Sequence, residues 1–384
     1  MSQTIDSTAL APHLTGALTI EQVETTAIRV ELPRVYRGSQ YQMTHRSTII
    51  VRVHCAGGII GEAYAGDEDK TLFEIDAIIR DELAPKIVGL DARATELCWE
   101  TMRPATFDIL RDRRLGLVAS GALDAALWDA VGKSLGQPLW RLWGGYRNRI
   151  QMISIGGYYG SEMSIEEEMA DLRARQLAGV KFKVGGLSPA EDAERFRRAR
   201  KAAGPDFVMA ADANQGWSPA EAVEFAQRVA DHDLRWFEEP CNWQNDRMAM
   251  RDVRLKTGAQ VCAGQSELSA AGCKLLIESG SIDVCNFDSS WSGGPTEWRR
   301  AAAVAAISDV QMGHHEEPQI SSHLLCSIPH GTYAECFHPE RDPIWWNLIA
   351  NRPELVDGWM TLSERPGLGW DLDADYIDAH RVQA

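Results

Sequence analysis

From residue 151 onward the chain alternates between short apolar runs and amphipathic runs, and this alternation constrains the fold more than any other feature. Eight runs have the composition of β-strands: 151–159, 180–184, 207–213, 234–239, 260–264, 282–288, 310–314 and 332–337. Helix-like runs lie between them, including 165–177, 189–203, 219–231, 245–257, 269–279 and 296–307. Strands that alternate with helices pair in parallel. About seven or eight such units in about 200 residues predict an α/β fold of the closed (β/α) barrel type.

The first half of the chain has a different order of elements. Strand-like runs at 23–32 and 47–54 come first, and helix-like runs at 71–83, 92–110 and 119–135 follow. Strands followed by helices predict a separate α+β unit. Between the first two strands lies a polar segment, 33–46, which the pattern predicts as a loop; a solvated hairpin tip and a functional loop both fit it.

Composition limits the partners and the compartment. The net charge of −16 argues against nucleic acid as a general partner. No apolar run approaches the roughly 20 residues that a membrane span needs, and the N-terminus shows no secretory signal, so we expect a cytoplasmic protein without a membrane partner. The eight cysteines are scattered without a CxxC pair, which predicts reduced thiols in the core.

Polar residues follow most of the predicted barrel strands, where catalytic residues of such barrels lie. In chain order they are Lys181 and Lys183, Asp212 and Asn214, Glu238, Gln265 and Glu267, Asp288, His315, and Glu335. Carboxylates that converge on one rim repel each other unless a cation lies between them, and oxygen ligands without His or Cys favour Mg²⁺. We predict Asp212, Glu238 and Glu267 as its ligands, with Gln265 as the alternative third ligand because residues i and i+2 of a strand share a face.

Lys181 and Lys183 also share one face of a predicted strand. Two neighbouring ammonium groups repel, and burial acts in the same direction, so each pKa should be lowered and either lysine could serve as a base. A strand with one solvated lysine face explains the same pattern equally well when it is taken alone.

The ordered set of motifs resembles the mandelate racemase group of the enolase superfamily. The motifs are Lys181-x-Lys183, Asp212-x-Asn214, Glu238-Glu239-Pro240, the stretch 264–267, the pair Asp288 and His315, and Glu335, with the helix 122–129 before them. The group has an acidic residue directly after the glycine, where this chain has Gln265. The resemblance implies a modified TIM barrel at 136–355, an α+β capping domain at 1–135 and a tail, 356–384, that returns to the capping domain. It also places a substrate-specificity loop, about 33–46, over the barrel mouth.

The resemblance further implies roles for these residues. The substrate carboxylate would chelate Mg²⁺, and an enediolate would form when the α-proton leaves. Lys183 is the candidate base beside Lys181, and His315, oriented by Asp288, is the base or acid on the opposite face. Glu335 would hydrogen-bond the substrate carboxylate, and Asn214, Arg37 and His45 would contact the substrate. A homo-oligomer, dimer or octamer, is also implied.

Three functions remain open at this point. The polar segment 33–46 favours dehydration of a sugar acid, a small carboxylate, to a 2-keto-3-deoxy acid. The alternative is racemisation or epimerisation of a 2-hydroxy acid or related carboxylate by Lys183 and His315 on opposite faces. The third is a barrel kept only for binding, which the complete acid–base set disfavours.

Overall fold

The N-terminal part of the chain is built on a three-stranded antiparallel sheet of order β1-β2-β3. A computed structural model describes residues 16–66 and 70–383; residues 1–15, where the predicted capping domain begins, and residue 384 lie outside the described residues. The strands are β1 (Ile20–Arg37), β2 (Gln42–Cys55) and β3 (Ile59–Tyr64).

Helices cover one side of this sheet. They are α1 (Leu72–Ala77), a π-helical segment (Ile78–Leu83), α2 (Ala84–Ile87), α3 (Thr95–Met102) and α4 (Arg113–Leu135). In the described residues only α4 has the length and apolar composition of a membrane span, but 89% of that stretch is buried inside the protein. Its side chains pack on the sheet and on the barrel, so within this fold α4 serves as a core helix.

The segment 33–46, predicted as a loop, is the far end of the β1–β2 hairpin. Pairing continues to Arg37 opposite Gln42, and only residues 38–41 form the turn. Arg46 lies within β2 and is buried, with ion pairs of 2.9 Å to Glu317 and 3.0 Å to Asp342. These two carboxylates belong to connections of the second half of the chain, so the hairpin is anchored to that half by buried charge pairs.

The second half contains the eight predicted barrel strands. They are β4 (Arg149–Gly156), β5 (Gly179–Lys183), β6 (Val208–Asp212), β7 (Phe237–Glu238), β8 (Val261–Ala263), β9 (Val284–Cys285), β10 (Gln311–Met312) and β11 (Ala334–Phe337). Parallel pairing runs from β4 through β10 in order, and β11 pairs back to β4. Hydrogen bonds of 2.8 Å from Met312 N to His330 O and from Thr332 N to Met312 O join β10 to the segment before β11. The sheet therefore closes into a barrel.

Helices lie between successive barrel strands, after a short helix α5 (Leu139–Leu142). They are α6 (Ile165–Ala174), α7 (Pro189–Ala203), α8 (Pro219–Arg228), α9 (Asp246–Thr257), α10 (Ala270–Glu278), α11 (Gly294–Ala306) and α12 (Pro318–Ser327). Three of them begin with the same capping box, in which a serine hydroxyl and a glutamate three residues later satisfy free backbone N–H groups; the serines are Ser164, Ser188 and Ser218. These caps set where each helix starts after its strand.

The C-terminal tail divides between the two halves of the molecule. After β11 the chain forms α13 (Pro343–Asn347), β12 (Leu355–Val356), β13 (Trp359–Thr361) and α14 (Ala374–His380), of which β13 and α14 lie within the predicted tail. Strand β13 pairs antiparallel with β4, so this part of the predicted tail extends the barrel sheet. The tail also contacts the N-terminal unit: Leu368 N donates to Asp129 Oδ1 of α4 at 2.7 Å, and Val382 N donates to Ala27 O of β1 at 3.0 Å.

All eight cysteines are buried and carry free thiols, as their scatter in the sequence predicts. Burial raises the pKa of the thiols of Cys98, Cys241 and Cys326 to about 12. Such thiols behave as small apolar core side chains.

Candidate active site

Three consecutive barrel strands end with a charged residue at the same level. Lys183 ends β5, Asp212 ends β6 and Glu238 ends β7, and each is the register partner of the next. Parallel strands present their last residues at one rim, which is why residues 29 and then 26 positions apart in the chain become neighbours. All three residues are at most 1% exposed.

The two lysines are paired with carboxylates. Lys183 Nζ lies 2.7 Å from Asp212 Oδ2 and 2.8 Å from Asn214 Oδ1. Lys181 Nζ lies 2.7 Å from Glu238 Oε1 and 2.8 Å from Glu335 Oε2. Burial alone would lower both lysine pKa values, but these carboxylates outweigh burial and hold the pKa of each lysine well above its ordinary value. The prediction that mutual repulsion lowers them is therefore wrong for this arrangement.

Gln265 and Glu267 do not share a face, so the strand alternation that made them alternatives for the third metal ligand does not hold here. Strand β8 ends at Ala263, and the chain turns at Gly264, whose φ is +147° and where a Cβ would lie 3.0 Å from the backbone nitrogen of Phe287. Beyond this turn the two-residue alternation no longer applies. Gln265 lines the cavity at the barrel mouth, whereas Glu267 points toward α9 and pairs with Arg247 at 2.5 Å.

The oxygen-rich end of the barrel fits a hard cation. Four buried carboxylates lie there, those of Asp212, Glu238, Glu239 and Glu335. Lys183 pairs with Asp212, and Lys181 pairs with Glu238 and Glu335; burial raises the pKa of Glu238 to about 8. Within residues 16–66 and 70–383, no three His, Cys, Asp or Glu side chains are grouped closely enough to hold a metal ion. Asp212 and Glu238 would therefore need a third donor of another type, and the amide oxygen of Gln265 is suited to it.

His315 lies between two carboxylates. Its Nδ1 is 3.0 Å from Asp288 Oδ2 and its Nε2 is 3.1 Å from Glu316 Oε1. Burial alone would lower the pKa of His315, but the charge of Glu316 and the hydrogen bond to Asp288 raise it well above its ordinary value. The Trp291 ring, with its centroid 4.8 Å from that of the imidazole, covers the histidine. Both carboxylates therefore favour the protonated, imidazolium form of His315.

Lys183 and His315 open into one cavity of about 440 Å³ at the barrel mouth. Asn214, Gln265, Glu316 and Arg341 also line it, together with Tyr41, Gln42 and Met43 from the hairpin end and Lys70 and Thr71 before α1. The hairpin is held there by a 2.8 Å hydrogen bond from Ser39 Oγ to Ala213 O. The cavity is thus enclosed jointly by the barrel and the N-terminal sheet.

Two of the predicted substrate contacts lie away from this cavity. Arg37 is exposed and pairs through its backbone with Tyr159, and neither Arg37 nor His45 is among the described residues that line the cavity. Alternation along β1 explains the position of Arg37, because the neighbouring Tyr36 packs against Tyr158 of the barrel and Arg37 therefore lies on the opposite face.

Sequence reasoning gave no role to Glu239 or Glu316. Glu239 accepts hydrogen bonds from Gln265 Nε2 at 3.0 Å and Ser266 Oγ at 2.6 Å, which orients the Gln265 amide. Glu239 and Glu316 both have positive φ, +36° and +53°, in the turns directly after their strands. Their signal in the sequence is an acidic residue immediately after a predicted site residue.

In this (β/α) barrel, a lysine and a histidine paired with carboxylates line one cavity beside further buried carboxylates. These are the side chains of an enzyme that works by acid–base catalysis. Residues 22–144 match the family profile described as "Mandelate racemase / muconate lactonizing enzyme, N-terminal domain", and residues 164–376 match the one described as "Enolase C-terminal domain-like". The chain belongs to the mandelate racemase/muconate lactonizing enzyme family of the enolase superfamily.

Individual relatives agree with this assignment. A 3,6-anhydro-alpha-L-galactonate cycloisomerase of Streptomyces coelicolor is 29% identical, covering 93% of this chain and 98% of the relative. An L-talarate/galactarate dehydratase of Salmonella typhimurium is 26% identical, covering 88% of this chain and 84% of the relative. A mandelate racemase/muconate lactonizing enzyme from a marine actinobacterium, crystallised in complex with magnesium, is 60% identical with a TM-score of 0.91, covering 95% of this chain and all of the other.

Proposed function

We propose that the protein is a Mg²⁺-dependent acid sugar dehydratase. The observation that carries the proposal is His315, which faces a carboxylate at each ring nitrogen and opens into the same cavity as Lys183. A dehydratase needs a proton acceptor at the α-carbon and a proton donor for the departing hydroxyl. The relative at 60% identity that was crystallised with magnesium supports the metal, and the L-talarate/galactarate dehydratase among the relatives supports dehydration of a sugar acid.

In this proposal Asp212, Glu238 and Gln265 hold the metal ion. When bound, Mg²⁺ would supply positive charge to these carboxylates and to the carboxylate of the substrate. To act as the base, Lys183 must be the neutral amine, so it first gives its own proton to solvent; it then takes the α-proton and becomes an ammonium again. The amide oxygen of Asn214, 2.8 Å from Lys183 Nζ, accepts a hydrogen bond from that nitrogen and orients it. Lys181, held by Glu238 and Glu335, contributes a fixed positive charge near the substrate carboxylate.

His315 then donates a proton from Nε2 to the β-hydroxyl as the carbon–oxygen bond breaks, and water leaves. Asp288 keeps the other ring nitrogen engaged, which fixes the ring orientation. The enol product becomes a 2-keto-3-deoxy acid. Racemisation in both directions would require His315 to act also as a base, in its neutral form. The two carboxylates beside the ring disfavour that form.

The reaction is tested with a panel of sugar acids and purified protein supplied with MgCl₂. Formation of a 2-keto-3-deoxy acid, detected as its semicarbazone, is the expected result. Proton NMR in deuterated water runs in parallel on the same panel. Exchange of the α-proton without any keto acid would instead identify a racemase or epimerase, and neither signal on any acid would contradict the proposal.

Two substitutions test whether Gln265 or Glu267 is the third ligand of the metal ion. Gln265→Ala should weaken Mg²⁺ binding by about 10- to 100-fold, because it removes the neutral oxygen beside two carboxylates. Glu267→Gln should leave the affinity within about twofold, because Glu267 pairs with Arg247 instead. Isothermal titration with MgCl₂ measures both. If only Glu267→Gln lost Mg²⁺ binding, Glu267 and not Gln265 would be the third ligand.

A further inference from the structure

His314 is a buried histidine directly before the proposed acid, and the proposed reaction gives it no role. It is 1% exposed, and each of its ring nitrogens contacts a backbone group. Ser289 N donates a hydrogen bond to His314 Nε2 at 3.0 Å, and His314 Nδ1 lies 2.8 Å from the carbonyl oxygen of His315. Ser289 Oγ lies 2.7 Å from the same Nε2. The ring therefore bridges the turn after β9 and the chain after β10.

The two backbone partners determine which nitrogen of His314 carries the proton. A backbone N–H can only donate, so Nε2 accepts from Ser289 N and carries no proton. A carbonyl oxygen can only accept, so Nδ1 carries the proton and donates it to His315 O. Burial lowers the pKa of His314 below its ordinary value, which agrees with a neutral ring. His314 is thus a bridge with one donor end and one acceptor end.

One end of the His314 bridge lies beside Asp288, the partner of the acid. Asp288 Oδ1 accepts hydrogen bonds from Ser290 N at 2.8 Å and from Ser290 Oγ at 2.7 Å, so its own turn fixes the carboxylate. This leaves Asp288 Oδ2 to contact His315 Nδ1 at 3.0 Å. Ser289, which the bridge holds, lies between these two residues in the chain. The position of the bridge therefore sets where the carboxylate lies.

Strand pairing does not extend to the acid pair. The register of β9 and β10 covers only two residue pairs. A backbone hydrogen bond of 3.2 Å from His315 N to Asn286 O continues the contact, but it ends two residues before Asp288. The His314 bridge reaches further, to the residue after Asp288. It is the contact that ties the turn of Asp288 to the backbone of His315.

We infer that His314 is a positioning residue for the proposed acid, because its bridge keeps the Asp288 carboxylate within hydrogen-bond distance of His315 Nδ1. The inference rests on the proposed function and adds to it a residue that is not among the described residues lining the cavity. Without the bridge, the turn of Asp288 is no longer held against the ring. His315 then loses one of the two carboxylates that favour its protonated form.

Two amide variants break the bridge and each keeps one of its ends. His314→Asn places an amide near the position of Nδ1 and can still donate to His315 O. His314→Gln reaches the position of Nε2 and can still accept from Ser289 N. Neither amide joins both ends, so both variants should loosen the contact between Asp288 and His315. Either variant carries the test if the other does not fold, and Asp288→Asn is the reference for loss of the carboxylate charge.

The pKa of His315 reports this contact without any turnover. It is measured by NMR titration of protein labelled with ¹³C at histidine Cε1 and supplied with MgCl₂, and the His315 signal is the one missing from His315→Asn. Besides Asp288, three charged groups act on this ring and stay unchanged in the variants: Glu316, Lys181 and Glu239. Both His314 variants should lower the pKa of His315 by about 0.5 to 1, and Asp288→Asn should lower it further.

A second buried histidine provides the matched control. His323 of α12 is also 1% exposed and also accepts a hydrogen bond from a backbone N–H, that of Trp140 at 3.2 Å, but it is not among the described residues lining the cavity. His323→Asn should lower the melting temperature, as His314→Asn does, and should leave the pKa of His315 at the wild-type value. If the His314 variants also left that pKa unchanged, their role would be only structural and the inference would be overturned.

Kinetics adds a second measurement once the panel assay has found a substrate. His314→Asn should lower the rate of dehydration by about 10- to 100-fold, the usual effect of losing a group that orients a functional side chain. The alkaline limb of its pH profile should move to lower pH, because the acid loses its proton earlier. Exchange of the α-proton should persist, because Lys183 is untouched. Dehydration within about twofold of the wild-type rate in both His314 variants would contradict the inference.

The NMR titration separates this inference from the proposed reaction. A lowered pKa of His315 in the His314 variants, with the control unchanged, supports the positioning role even where no acid on the panel is dehydrated. An unchanged pKa in both variants overturns the positioning role and leaves the dehydratase proposal intact.

Discussion

Replacement of Lys183 by alanine should lower the rate of α-proton removal by about 10²- to 10⁴-fold, the usual contribution of a positioned acid–base group. Lys183 is the ammonium that contacts both Asp212 and Asn214 and also opens into the cavity. Lys181 cannot take its place, because Lys181 is enclosed by Glu238 and Glu335. Proton NMR in deuterated water measures α-proton exchange directly, with a substrate found by the panel assay.

The same variant distinguishes loss of a base from loss of the metal. Removing Lys183 leaves Asp212 buried and unpaired, which should cost about 3–5 kcal/mol of stability in the absence of metal. Mg²⁺ should recover most of that loss in thermal melts, and its affinity should be equal to or tighter than that of the wild type. Lys201→Ala, an exposed lysine on α7, is the control and should match the wild type. If Lys183→Ala exchanged the α-proton at the wild-type rate, Lys183 would not be the base.

The sequence was sufficient to predict those site residues that lie at the end of a barrel strand. A parallel barrel brings its strand ends to one rim whatever the loops between them do. Lys183, Asp212 and Glu238 are the last residues of β5, β6 and β7, so reading each strand to its end was enough to place them.

Residues beyond a strand end could not be placed in this way. Gln265 and Glu267 follow the turn at Gly264, and Glu316 lies in a turn at φ +53°, so strand alternation says nothing about where these side chains point. The lysine pKa values depend on which carboxylates lie within 3 Å of each ammonium, and only the three-dimensional structure supplies that. Segment 33–46 was predicted as a loop because polar residues interrupt its apolar pattern, yet cross-strand pairing extends through it.

Replacement of His315 by asparagine should separate the two halves of the proposed reaction. Dehydration should fall by about 10²- to 10⁴-fold, because asparagine cannot donate the proton that the imidazolium gives to the departing hydroxyl. Exchange of the α-proton should persist, because Lys183 and the carboxylates are untouched. Keto acid assays and proton NMR in deuterated water on one substrate give both rates. His330→Asn, a half-buried histidine bonded to Ala302 O, is the control. Equal loss of both rates would instead favour a concerted step.

The role of His315 as the acid also fixes the direction of a pH effect. Dehydration needs the protonated ring, so the rate should fall as pH rises through the pKa of His315. Glu316 and Asp288 hold that pKa well above its ordinary value. Glu316→Gln removes the larger of these two contributions, so the alkaline limb of the kcat profile should move to lower pH while the rate at low pH is kept. Asp288→Asn should shift it in the same direction and also lower the maximum, because Asp288 fixes the ring as well as its charge. A profile that stays in place in Glu316→Gln would mean that another group controls the alkaline limb and that the carboxylate beside Nε2 does not keep His315 protonated.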